Sequence, residues 1–379
     1  MPDNQTNQVS HDLAWIKATL QSAIELEYST LPLYLSAMFS LEVQNYTAYN
    51  LIRSVVMEEM VHMAIAANAL AAIGGSPRFK NIKIPFPVRG LPGGAEPDLH
   101  VGLAQFSKNQ LKNFMRIEMP DFLLGQLGRD ESYPTIAAFY RTLQQAIQYN
   151  ADAVRSAVKA GGPANQVGDN IGFTTLGYSP GVDPVETLSQ AIEEILQQGE
   201  GASAGDLVTT SAYESEESHY ARFAELYYGA TYAIPNPKLQ MNPETEPLFF
   251  QGLPIGWPEV INTLAVPADG YAKIIALAPK ASDVTSDLVA FDTAFSAILS
   301  ALDAAWNGPA ADSWKTLGGA VHGMVDLRVL SCFNIIRHEI PRDIVDKLPE
   351  LYPAEIDHLR RDTDLTKPVC YGPRFLNAN

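Results

Sequence analysis

Two Glu-x-x-His tetrads, Glu59-Met60-Val61-His62 and Glu216-Glu217-Ser218-His219, stand about 160 residues apart in this chain. On an α-helix, positions i and i+3 share a face, so each tetrad can bring a carboxylate oxygen and a ring nitrogen to one metal ion. Two such helices, each partnered by a helix that contributes one more Glu, build a dinuclear carboxylate site in the core of a four-helix bundle. No other feature of the chain restricts its fold as strongly.

The spacing needs support from its surroundings. Roughly 0.4 matches are expected by chance from 22 Glu and 7 His in 379 residues, and three occur. The third, Glu355 to His358, lies among Asp357, Arg360 and Arg361 with no apolar stripe, which predicts a solvated helical turn. The other two lie on apolar seams. Steps of three or four give Ile52, Val55, Glu59, His62, Ala66, Leu70 and Ile73, with Glu58 turned away by about 100°. Ala212, Glu216, His219, Phe223 and Leu226 form a second seam, and Leu13, Ile16, Leu20, Ala23, Glu27, Leu31, Tyr34 and Met38 a third that places Glu27 on the buried face.

A carboxylate taken out of water without a partner costs several kcal/mol or stays protonated, so converging acidic groups must be neutralised. Basic residues are scarce on these segments: Lys17, Arg53 and Arg222 are the main ones. Four carboxylates and two neutral imidazoles balance two divalent cations, and oxygen-rich donors with some nitrogen suit iron or manganese. The competing reading is a set of buried Glu-Arg or Glu-His salt bridges without metal.

The rest of the chain bounds this reading. With 46% hydrophobic and 18% charged residues it can build a sizeable core. The net charge of −17 argues against nucleic acid or an anionic membrane as partner, and no run reaches the length of a membrane span. Cys332 and Cys370 form no disulfide framework, and the N-terminus lacks a signal-peptide pattern, so a cytoplasmic location is expected.

Caps and breakers predict a mainly α fold. A first helix, capped by Ser10, should reach about Gln44 and carry a kink at Pro32. A second should run from about Thr47 to Ile73, ended by Gly74-Gly75-Ser76-Pro77. A Pro/Gly-rich crossover follows to about Pro97. Further helices are expected through Gln110 to Glu118, from Pro134 to Ala160, from Asp183-Pro184 to Gln198, and across Glu216 and His219 to about Gly229. The division is therefore a bundle over residues 1–230, then a Pro-rich connection and helical extension over residues 231–379, with helices from Asp287 to Trp306 and from Trp314 to Ile336. That extension could cover the open end of the bundle, form a lid or mediate a homodimer. His322 and Cys332 read as core residues, while for Asp292, Asp303 and Asp326 the pattern favours a solvent-facing place no more than any other.

Leu26-Glu27-Tyr28-Ser29-Thr30-Leu31-Pro32-Leu33-Tyr34-Leu35, then Glu59 to His62 leading to Asn68-Ala69-Leu70, resembles the ferritin-like family of iminophenyl-pyruvate dimer synthases. Arg116 to Pro120, Gln198-Gly199-Glu200-Gly201 and Ser218 to Phe223 extend the resemblance. It implies a ferritin-like four-helix bundle with long crossovers and additional C-terminal helices, and enzymes that couple two imines derived from aromatic amino acids. Those proteins are usually longer multidomain chains, some of them containing haem; only the resemblance suggests haem here. It also favours Glu200 as the fourth carboxylate, beside Glu194, Glu186 and Glu118. The expected ligand set is Glu27, Glu59, His62, Glu200, Glu216 and His219.

Three functions fit these readings. The first is a dimetal carboxylate oxidoreductase acting on a small organic substrate, with Tyr28, Tyr34, Tyr220 and Phe223 near the ligands, where core packing explains each aromatic more simply. The second is a metal store, and the third a metal-free scaffold or pathway partner. The additional 150 residues or so disfavour a store, and the paired tetrads disfavour a scaffold.

Overall fold

The computed structural model describes residues 11–42, 46–120, 135–160, 166–167, 182–200, 208–210, 215–233, 249–278 and 281–378. The mainly α expectation holds. Among the described residues, strands form only two antiparallel pairs, β1 (Val88–Arg89) with β2 (His100–Val101) and β3 (Val208–Thr210) with β4 (Ser215–Glu217).

Helix α1 (Leu13–Phe39) and α2 (Tyr46–Ala72) pack along each other, and both are buried over most of their length. Asp12, rather than Ser10, caps α1 through a 2.9 Å bond from the Trp15 N–H. Its end comes at Phe39, short of Gln44, because Ser40 folds back onto the Ala37 carbonyl. Pro32 lies inside an otherwise continuous helix, where the Ser29 and Thr30 hydroxyls bond back to the Leu26 and Glu27 carbonyls. Gly74, in the left-handed region at φ 75°, closes α2.

Helix α3 (Lys108–Ile117) begins at the Ser107 cap and ends with Glu118 as C-cap. The helix expected over residues 134–160 is two, α4 (Ile136–Tyr149) and α5 (Ala151–Lys159). Asn150 separates them, its side-chain amide donating to the Ala146 carbonyl and to the His11 carbonyl. Helix α6 (Pro184–Glu200) starts where Asp183 and Pro184 predict. Helix α7 (His219–Tyr228) is shorter than expected. The Ser218 side chain accepts from the Ala221 N–H and starts the helix at His219, while Glu216 stands upstream on β4, opposite Thr209. The two residues of this tetrad therefore do not share a helical face. Helix α1 packs on α2, α3 on α7 and α4 on α6, and α2 also meets α6 and α7.

Beyond this bundle, α8 (Ala272–Leu277) leads to a hairpin of α9 (Ala281–Asn307) and α10 (Ser313–Val329). Buried apolar side chains from Ile16 to Phe375 form one cluster. The acidic residues of this region divide, and the core placement expected of His322 is corrected. Asp292 is buried, holding Arg374 through two 2.7 Å contacts. Asp303 accepts from the backbone N–H groups of Phe79 and Lys80, whereas Asp326 is exposed. His322 is exposed, because it faces outward on α10; Cys332 is buried as expected. Glu355 caps a short helix and accepts from the Ala268 N–H, and burial pushes His358 down to about 4, so this third tetrad is not the solvated turn expected. Three segments, Tyr46–Ala72, Asp283–Asn307 and Ala310–Arg337, are also long and apolar enough to cross a membrane, contrary to expectation, because isolated polar residues interrupt the sequence without lowering average hydropathy far.

Candidate metal centre

Three carboxylates and two imidazoles converge where α1, α2, α3 and α7 meet. Glu27 comes from the middle of α1, Glu59 and His62 from one face of α2, Glu118 from the end of α3 and His219 from the first residue of α7. All five side chains are buried, with His219 at 0% exposure. Glu59 is the shared member. One oxygen lies 3.7 Å from His62 Nδ1 and the other 2.9 Å from His219 Nδ1. Glu27 adds an oxygen 3.8 Å from His62 Nδ1, and Glu118 one 3.5 Å from His219 Nδ1.

The outward nitrogens are held from behind. His62 Nε2 is 2.7 Å from Gln198 Oε1, and His219 Nε2 is 2.9 Å from Glu58 Oε2. A donor bond at Nε2 leaves the Nδ1 lone pair pointing inward, the arrangement in which an outer partner fixes the tautomer of a metal-binding imidazole. The two rings are stacked, with centroids 5.3 Å apart. His219 Nδ1 makes no hydrogen bond despite its short distance to Glu59, so a buried nitrogen is aimed at carboxylate oxygens without a satisfied contact. The Tyr140 hydroxyl donates to Glu27 and the Tyr34 hydroxyl to Glu118, fixing the two outer carboxylates.

A cavity of about 20 Å³ lies between Glu27, Glu59, His62, Glu118 and Tyr140, walled otherwise by Thr30, Ile117, Ile136, Ile195, Leu196 and Gly199. That is room for a water-sized group between the polar side chains and a mostly apolar wall. Glu59, His62 and His219 have ligand atoms within 4.8 Å of one another, so these groups could hold a metal ion. Oxygen-rich donors with two imidazoles fit iron or manganese better than a thiolate-bound metal.

Electrostatics describes the same centre without cations. Burial, reinforced by the Glu59 charge, pushes Glu27 up to about 7. Burial and Glu118 also push Glu59 up, but the histidines outweigh them and hold it below the ordinary carboxylate value. Burial lowers the imidazoles, yet Glu27 and Glu59 raise His62 to about 10, and Glu59, Glu118 and Glu58 raise His219 well above its ordinary value. Burial disfavours the charged form of Glu58, but His219 and Arg222, whose Nη1 lies 2.8 Å from Oε1, bring it down to about 2. In metal-free protein, protons on the imidazoles thus stand in for cations.

Of the expected ligands, Glu27, Glu59, His62 and His219 are brought together. The side chains of Glu200 and Glu216 lie outside the described residues. Glu118, an alternative by resemblance, joins the centre, while Glu186 is exposed and Glu194 half-buried, and neither lines the cavity. Glu58 carried the misleading signal of an outward helix position. It reaches His219 because α7 lies on that side of α2. Tyr140 had no signal in the sequence beyond helical periodicity, and Gln198 only its place in the Gln198-Gly199-Glu200-Gly201 motif.

A sequence profile described as ferritin-like matches residues 20–228. The crystal structure of a ferritin-like protein from Caulobacter vibrioides superposes with a TM-score of 0.55, at 20% identity, over 84% of this chain and 95% of that one. At that identity the likeness concerns the fold alone. No curated protein matches.

Proposed function

The chain belongs to the ferritin-like family, and from this we propose that it is a metal-dependent oxidoreductase whose centre takes two divalent cations, iron or manganese. One observation carries the proposal: both buried imidazoles present Nδ1 to the same Glu59 carboxylate while an outer side chain holds each Nε2. Glu27, Glu59 and His62 would hold one cation, and Glu59, Glu118 and His219 the other. Such ions supply a redox centre and a Lewis acid.

The side chains have distinct tasks around that chemistry. Glu59 joins the two halves. Tyr140 and Tyr34 orient the outer carboxylates, and burial together with the neighbouring carboxylates raises both phenols well above their ordinary value, so they remain hydrogen-bond donors at neutral pH. Gln198 and Glu58 position the imidazoles, and the isoleucine and leucine walls exclude bulk water, which strengthens every charge interaction inside.

The motifs around Glu27, His62 and Ser218 support a closer kinship with iminophenyl-pyruvate dimer synthases, and hence a small substrate derived from an aromatic amino acid. Two free cysteines and no disulfide among the described residues are compatible with the proposed cytoplasmic location.

Metal analysis of protein produced with iron or manganese, beside a His62→Ala/His219→Ala double variant, tests the centre. About two ions per wild-type chain, absent from the variant, are expected. Wild-type protein that retains no metal would refute the proposal in favour of paired buried charges. Oxygen consumption by the loaded protein with candidate aromatic amino-acid-derived imines then tests the oxidoreductase assignment, and uptake of many more than two ions per chain without substrate turnover would assign it to storage.

A further inference from the structure

A second and much larger cavity, about 570 Å³, separates the outer face of α1 and α2 from the α9–α10 hairpin. Native interiors leave few voids larger than a water molecule, so a space of this size is not a packing defect. Its volume falls within the range of small-molecule sites. Leu31, Met63, Leu299, Trp306, Leu317 and Met324 line it, and it opens between Met57 of α2 and Trp314 and Val321 of α10, all three exposed.

The lining has two ionisable side chains: Glu58, whose oxygens are already engaged by Arg222 Nη1 and His219 Nε2, and Tyr28, whose phenol is pushed up by burial and stays neutral. A charged ligand group drawn inside would find no free opposite charge and would carry most of the cost of leaving water. Water itself gains little, since a site needs polar partners to retain it. Met57, Met60, Met63 and Met324 supply unbranched, adaptable walls that can follow the shape of a chain or ring.

We propose that this cavity is a binding site for an uncharged, largely hydrocarbon molecule, such as a long acyl or isoprenoid chain. An occupant lies one side chain from the metal centre, with Glu58 forming the wall between them. The site stands on its apolar lining alone and is read on metal-free protein, so failure of the metal assignment leaves it intact.

Gly318 provides the test. It lines the cavity on α10, has ordinary backbone geometry, and a Cβ built there meets nothing within 4 Å. Replacing a helical glycine also removes a backbone-entropy cost, which favours folding of the variant. Gly319 has the same freedom but does not line the cavity. Titration of the full chain with the uncharged fluorophore N-phenyl-1-naphthylamine should saturate, and hexadecanol should displace the probe. Gly318→Phe should weaken binding about tenfold or more by occupying the space, and Gly319→Phe should not. Circular dichroism confirms that both variants fold. Absence of saturable binding, or equal binding by Gly318→Phe, would overturn the proposal. So would a wild-type dimer, seen by sedimentation, that Val321→Glu converts to monomer, because the opening would then belong to a second copy of the chain.

Discussion

Loading cations into the metal centre must displace the protons that now balance it. At pH 7 His62, raised to about 10, and His219, raised well above its ordinary value, each carry a proton; Glu27, at about 7, is half protonated, and Glu59 is ionised. Coordination needs both Nδ1 lone pairs free and the carboxylates ionised. Binding therefore releases about one proton from each imidazole and about half of one from Glu27, roughly 2.5 together. The same number is the slope of log affinity against pH, so lowering the pH by one unit near neutrality should weaken binding roughly 100- to 1,000-fold. Calorimetric titration with Mn(II), repeated at pH 7 in two buffers of different ionisation enthalpy, measures the release directly. His219→Ala should remove about one proton from it. Release of less than one proton by the wild type would refute the reasoning, since the imidazoles would then be neutral before metal arrives or would not bind it.

Glu58→Gln keeps the shape of the wall but removes the charge behind His219, and should weaken Mn(II) affinity roughly 10- to 100-fold; an unchanged isotherm would show that Glu58 does not position the ring. Asn68 is fully buried and bonds to both backbone groups of Val167 and to Trp306 Nε1, so Asn68→Leu strands three polar groups and should cost about 3 kcal/mol or more in urea unfolding. In metal-free protein, the contribution of His62 is complete below its unfolded value near 6.5 and is lost as the pH rises through about 10. The urea midpoint should consequently fall between pH 7 and 10, and fall less in His62→Gln; the same fall in both would assign it to other groups. Asp292→Ala leaves Arg374 mostly buried without its carboxylate and should destabilise the chain by about 3 kcal/mol, a loss that Asp292→Ala/Arg374→Met should largely restore.

Sequence and structure agree best where a single helix defines the relationship. Glu59 and His62 lie on one uninterrupted helix whose apolar stripe requires them to face inward, and Glu27 lies on another. The second tetrad failed as a helical pair for a local reason. Ser218 is a strong N-cap, and a chain that caps there cannot keep Glu216 in the same helix. His219 nevertheless reaches the centre, because a residue at the first position of α7 points toward α2.

Amino-acid pattern alone determined the helical class, the inward acidic stripes and the need for charge compensation, since periodicity and the cost of burying a carboxylate are local properties. Which groups meet across helices was decided only by packing. Glu118, Glu58, Gln198 and Tyr140 enter the centre from positions with no common spacing, and the apolar cavity beside them exists only because a hairpin from the far end of the chain lies over α1 and α2. Contacts of that kind depend on the distances and angles between elements, which a one-dimensional pattern does not contain.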